Sequence, residues 1–259
     1  LLCACVLIPG SLFTSGAFCQ SQKNIVLSQN LVTNSEKLDV KMGTQWMGKI
    51  WNIRFGEYAV VSSKMGWTTT SYKAKLLNRK TESASKGKFS FVLNNKTADT
   101  ARVNAATYIL TQYIRDIELL PNLSLAGSLL KDSSNFSSFV TLNGDTTETW
   151  LLSMIITKDR HTTRDYEGLL TNGEREILIV ETTSNKNGED TRRIPAYGFE
   201  FMENGQSLCA LQYYAGGAFG VNKNVVWMGN QHDNKMKLLL AASMTAILQV
   251  TYDLIDATN

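Results

Sequence analysis

The sequence predicts a mainly β fold, in which antiparallel hairpins build a barrel or a curled sheet around a hydrophobic C-terminal α-helix. Three observations carry this expectation. Alternating apolar and polar residues recur along most of the 259-residue chain, as strands with one face on a core require. Asn-Gly pairs at 143–144, 172–173, 187–188 and 204–205 separate such segments, and Asn-Gly suits tight hairpins because both central residues take positive φ. Residues 235–255 are apolar on every side of a helix, so protein or lipid must surround them.

With 43% hydrophobic and 19% charged residues, the chain has the composition of a globular protein, enough for one domain or at most two. A formal charge of +3 does not point to nucleic acid, whose partners are usually strongly basic. Residues 1–19 carry no charge and pass from an apolar run into Ala17-Phe18-Cys19. This pattern predicts a signal peptide cleaved before Gln20 and export to the periplasm or outside the cell. Lipid anchoring through Cys19 is the alternative. Cys3, Cys5 and Cys19 belong to that leader, which leaves Cys209 unable to form an internal bridge. Flanked by Leu208 and Ala210, it reads as a buried thiol.

Residues 20–43 lack a sustained period and read as a linker or edge strand, with a single β-rich domain over 44–259. Within it, Trp51, Ile53 and Phe55 alternate with polar neighbours in a strand over 49–55, which Gly56 ends. Strands follow at 58–61 and at the Thr-rich 67–72. Phe89, Phe91 and Leu93 lead to Asn94-Asn95, and Ala101 and Val103 begin the return. Residues 105–120 fit a helical stripe and also fit strands; their β-branched and aromatic content leans to strand. Residues 139–142 enter the turn at 143–144, and Trp150, Leu152, Met154 and Ile156 lead away on one face. Further strands are expected at 177–180, 197–201, 208–214 and 225–228. Gly216-Gly217 and Gly220 lack the ending of a phosphate loop and read as a turn.

The closing helix, expected over 235–256, finds a cap in Asp233 or Asn234. Its apolar stretch is near the lower limit of a membrane span. Gln249 and Asp253 would lie in hydrocarbon at a cost of about 2.5–3.5 kcal/mol for the acid, and no basic anchor follows Ile255. Enclosure by the chain's own sheet satisfies strands and helix together, so no transmembrane span is expected.

In this plan the chain, from about Lys49 to Ile255, resembles the tubby C-terminal, LURP-one-related and phospholipid scramblase families, and secreted bacterial proteins of the same organisation. The hairpins centred on Asn143-Gly144 and Asn204-Gly205 and the closing apolar helix carry the resemblance. It implies a closed antiparallel barrel around that helix and, from members that bind phosphoinositides or act near membrane lipids, a lipid-related role. No position here matches their basic lipid-binding residues.

Two stretches are candidates for function. Lys73, Lys75, Arg79, Lys80, Lys86 and Lys88 face only Glu82 in sequence, and such a concentration suits docking on an anionic lipid or polysaccharide surface. Asp159, Arg160, His161, Arg164, Asp165 and Glu167 gather a histidine with carboxylates, the alternative being a hydrolase that uses this loop. No Gly-x-Ser-x-Gly elbow, His-x-x-x-His or paired-cysteine spacing accompanies it. The resulting expectation is a binding or structural module rather than an enzyme, with no metal or cofactor. Trp46, Trp51, Trp67, Trp150 and Trp227 could line a ligand groove, but large aromatics in a β domain are mostly core, and strand alternation explains three of these five.

Overall fold

One extended stretch of chain joins the two edges of a single large sheet. The computed structural model describes residues 24–74, 80–114, 117–120, 123–125, 128–159, 165–188, 194–217 and 222–256, so the expected leader and Cys19 lie outside the described residues. A short helix α1 (Gln29–Asn34) leads into β1 (Ser35–Asp39) and β2 (Lys41–Met42), followed by β3 (Ile53–Phe55), β4 (Tyr58–Met65) and β5 (Thr69–Ala74). Four long strands come next: β6 (Lys80–Asn94), β7 (Thr100–Ile114), β10 (Ser128–Leu142) and β11 (Asp145–Asp159), with the small hairpin β8 (Ile117–Leu120) and β9 (Leu123–Leu125) between the second and third. The chain ends with β12 (Asp165–Thr171), β13 (Glu176–Thr183), β14 (Tyr197–Glu203), β15 (Gln206–Tyr214), β16 (Val225–Gly229) and α2 (Asn234–Asp256).

The strand order is β1-β16-β15-β14-β13-β12-β11-β10-β7-β6-β4-β3-β2, with β5 beside β6 in line with β4. The first and last members of this path are consecutive in the chain. Between them Val40 donates its N–H to the carbonyl of Asn224 at 3.0 Å. The sheet is therefore a nearly closed antiparallel barrel, its edges brought together by covalent continuity.

Alternation then decides what fills it. Phe89, Phe91 and Leu93 of β6, Val103 of β7, Phe136 and Val140 of β10, Trp150 and Leu152 of β11, and Phe199 and Phe201 of β14 are buried in one cluster with α2. Every residue of α2 from 238 to 251 is buried. The helix touches β7, β10 and β15. On β7 and β10 the inward residues include Ala101, Ala105 and Ser138, small side chains that let a helix approach the wall closely. The helix's own hydroxyls need no wall partner: Ser243, Thr245 and Thr251 donate to the carbonyls of Leu239, Ala241 and Ile247, four residues back. Asp233 caps it, accepting from the N–H of Met236 at 2.7 Å.

A second, smaller core lies outside the barrel. Ile25 and Leu31 cover Ala210, Val225 and Trp227, so β15 is buried on both faces and reads as a continuous apolar run. The segment expected to be a linker or edge strand thus contains α1, β1 and β2 and packs on the wall.

The Asn-Gly pairs divide into two kinds. Asn143-Gly144 and Asn204-Gly205 have positive φ at both residues and make two-residue hairpins. At 172–173 and 187–188 only the glycine does; the Asn172 side chain instead accepts the N–H groups of Glu174 and Arg175, an Asx turn in a longer loop. The strand expected over 49–55 begins only at Ile53, because the Trp51 N–H is taken by the Gln249 side chain of α2 at 3.0 Å. The expected strand over 67–72 begins at Thr69, and Trp67 stands in the break between β4 and β5. Residues 105–114 and 117–120 are strand.

Candidate functional site

The outer face of the sheet, where β4 gives way to β5, carries an open groove. Register builds it from strands far apart in sequence. Thr69 lies opposite Lys86, Lys86 opposite Tyr108, and Tyr108 opposite Asn135. In the next row of the same face Lys88 is opposite Ala106 and Ala106 opposite Ser137; in the row beyond, Lys64 faces Ser90, Ser90 faces Asn104, and Asn104 faces Phe139. Inward positions of these strands are occupied by Phe89, Ala105 and Phe136, so the intervening residues are left to solvent.

Two adjoining cavities of about 610 and 420 Å³ share Lys88, Ala106 and Ser137. Ala106 contributes only a methyl group at this shared position. Trp67 stands at one side, almost wholly exposed, and Phe139 lies at the other end, half exposed. The Lys86 ammonium sits 5.6 Å from the centroid of the Tyr108 ring, a cation–π contact that holds the side chain over the groove. Among the described residues Lys64, Lys86 and Lys88 form no ion pair. Their charges are open to an external anion. The interruption that releases Trp67 is fixed by Gly66, whose N–H donates to the carbonyl of Lys88 at 2.8 Å. A Cβ at Gly66 would lie 2.8 Å from Lys88 Cγ, so the crossing is tight.

Of the six basic residues singled out from sequence, the described ones do not all reach the groove. Lys86 and Lys88 line the groove. Lys73 sits at the end of β5 opposite Glu82, and Lys80 begins β6 opposite Ile114; at roughly 3.3 Å per residue, Lys80 is about 26 Å along the strand from Lys88. Lys75 and Arg79 lie outside the described residues. Sequence reading missed Lys64, Tyr108, Asn135 and Phe139, which reach the groove only through strand pairing. Their common signal is parity: each occupies an outward position, alternating with the buried residues of its strand.

The other candidate is less complete. Asp159 ends β11, while Asp165 and Glu167 lie on β12 opposite Thr157 and Ile155; Arg160, His161 and Arg164 fall outside the described residues. A different set of charges surrounds the start of α2. Arg175 grips Glu203 through two bonds of 2.8 Å and lies over the Trp150 ring, and Lys235 pairs with Glu148. Arg175 holds the Glu203 carboxyl below its usual range, and Lys235 with the Trp150 N–H does the same for Glu148. Both carboxylates already have partners: Glu148 ties β11 to the helix start, and Glu203 ties β14 to the turn between β12 and β13. His232 approaches the Leu208 carbonyl at 3.2 Å, and burial lowers its pKa. Cys209 is buried, with its thiol pushed well up by desolvation, the state of a packing residue rather than a nucleophile. Among the described residues no group of three or more His, Cys, Asp or Glu is placed to hold a metal ion, and no helix is long and apolar enough to cross a membrane.

No protein-family model matches the chain, and no curated protein or solved structure is significantly similar to it.

Proposed function

We propose that the protein is an exported, non-enzymatic binding module that docks on an anionic surface through the groove lined by Lys64, Lys86 and Lys88. The observation that carries this reading is the presence of three ammonium groups, without an ion pair among the described residues, around a concavity of about 610 Å³ and its neighbour. Aromatic and amide side chains accompany them. Lysine contributes point charges that attract anions without demanding one geometry, and Asn104, Asn135, Ser90 and Ser137 add donors able to bond anionic or hydroxyl oxygens. The barrel around α2 supplies a rigid wall for this face. We read that plan as the tubby-like one, in support of which stand the enclosed apolar helix and the antiparallel hairpins.

The test is a comparison of anionic and neutral surfaces at several salt concentrations, using vesicles with and without phosphatidylglycerol and, separately, polygalacturonate and dextran. Binding to at least one anionic member, weakened by salt and absent from its neutral counterpart, is expected. Equal binding to the charged and uncharged members of both pairs, or to none of the four, overturns the reading.

A further inference from the structure

Beside the groove, two loops present large apolar side chains that are mostly exposed among the described residues. Met47 is 102% exposed, Trp67 95% and Trp46 70%. They are close in the fold although twenty residues separate the loops. The turn that holds Trp46 and Met47 is closed by the Lys49 N–H donating to the Trp46 carbonyl at 3.0 Å, and Gly48, with φ +76, carries the chain around it. The Gly48 carbonyl then accepts the N–H of Met65 at 2.7 Å, which ties this turn to the end of β4, two residues before Trp67. Lys64 and Lys88 flank the same junction, the latter through its carbonyl bond to Gly66.

We infer that Trp46, Met47 and Trp67 form a bilayer-contacting edge that seats the protein on an anionic lipid surface while the adjoining lysines meet the headgroups. This rests on the anionic-surface reading above and selects lipid over polysaccharide. Large apolar side chains held fully in water at loop tips mark an interaction surface. Tryptophan favours the membrane interface, where its ring lies among headgroups with its N–H still bonded. Met47 decides between the two sources. Tryptophan rings can stack on sugars, but an unbranched thioether at the apex of a turn finds an apolar medium only below the headgroups. Charge and apolar contact reinforce each other there, because each lysine near an anionic leaflet adds to the attraction and positions the loops at the surface.

The measurement uses the described protein with phosphatidylglycerol–phosphatidylcholine vesicles whose acyl chains carry bromine, a short-range quencher of tryptophan. Trp51 is half-buried and Trp150 and Trp227 are buried, so quenching is expected to come from Trp46 and Trp67. We expect quenching on binding, and roughly tenfold weaker vesicle binding for Trp46→Ser combined with Met47→Ser, with unchanged thermal unfolding since both side chains are exposed. Trp67→Ser alone is expected to remove part of the quenching. Co-sedimentation without quenching, or full binding by the double variant, overturns the bilayer edge. Binding to polygalacturonate but not to vesicles overturns it too and leaves the anionic-surface reading standing; binding to neither removes both.

Discussion

Gln249 is the residue at which helix and wall exchange hydrogen bonds. It is fully buried; its carbonyl oxygen accepts the Trp51 N–H, and its amide donates to Asp253 at 2.8 Å. A leucine of similar size would leave the Trp51 N–H without its acceptor, a loss of about 1–3 kcal/mol when the group stays out of water. Gln249→Leu is therefore expected to lower the urea midpoint with an unchanged slope, and an unaltered midpoint would show that the bond contributes nothing. His232 makes a second residue-scale prediction. Burial holds its pKa below the ordinary histidine value, so the unfolded chain takes up a proton first as the pH falls. Stability is present above the ordinary value and is lost as the pH drops through the lowered one. His232→Asn, which keeps a side-chain donor, is expected to flatten the dependence of Tm on pH between about 7.5 and 5, whereas Glu203 and Glu148, also lowered, act in a more acidic range. A wild-type slope retained in the variant would assign the effect elsewhere.

At the scale of elements, α2 fills the barrel, and the barrel exists to be filled. Leu240 is fully buried, and an aspartate there would be an unpaired charge with no water, costing several kcal/mol even if it took up a proton. Leu240→Asp, or a chain ended before Asp233, is expected to lose the cooperative thermal transition. A sharp transition in either would show that the wall folds without its filling. The helix and its enclosure were legible because their signals are local: an apolar circumference, a capping Asp233, and Asn-Gly turns at 143–144 and 204–205 that set hairpin register. Where a distant partner decides, local reading stopped short. Trp51 alternates correctly for a strand, yet its N–H is claimed by Gln249; residues 25–34 have no period of their own because they take their order from the outer face of β15 and β16. Asn172-Gly173 looks like its hairpin counterparts, but its side chain builds a different turn. The groove was legible only as far as Trp67, Lys86 and Lys88, since β4, β7 and β10 complete it through pairings that no single stretch records.

At the scale of the whole molecule, Lys64 of β4 and Lys86 and Lys88 of β6 stand exposed on one face, and distance determines which basic residues act. The net charge of +3 is too small to bind an anionic surface unspecifically, so attraction must come from local concentration. Screening confines that attraction: at physiological salt the Debye length is about 8 Å. A surface seated over the groove therefore feels Lys64, Lys86 and Lys88, whereas Lys80, about 26 Å farther along β6, lies beyond several screening lengths when the strand stands away from that surface. Glu82 opposite Lys73 further offsets the distal charge. Reversal of Lys86 and Lys88 to Glu is thus expected to abolish most binding to phosphatidylglycerol vesicles, while reversal of Arg79 and Lys80 leaves the greater part of it at physiological salt. The Lys86 and Lys88 variant should keep the wild-type Tm, since both side chains are exposed and point away from α2. Lowering the salt lengthens the screening distance and should make the distal pair matter more. Vesicle co-sedimentation of the two double variants at low and physiological salt decides the point: a larger loss from Arg79 and Lys80 at physiological salt would move the docking face away from the groove and toward the far end of β6.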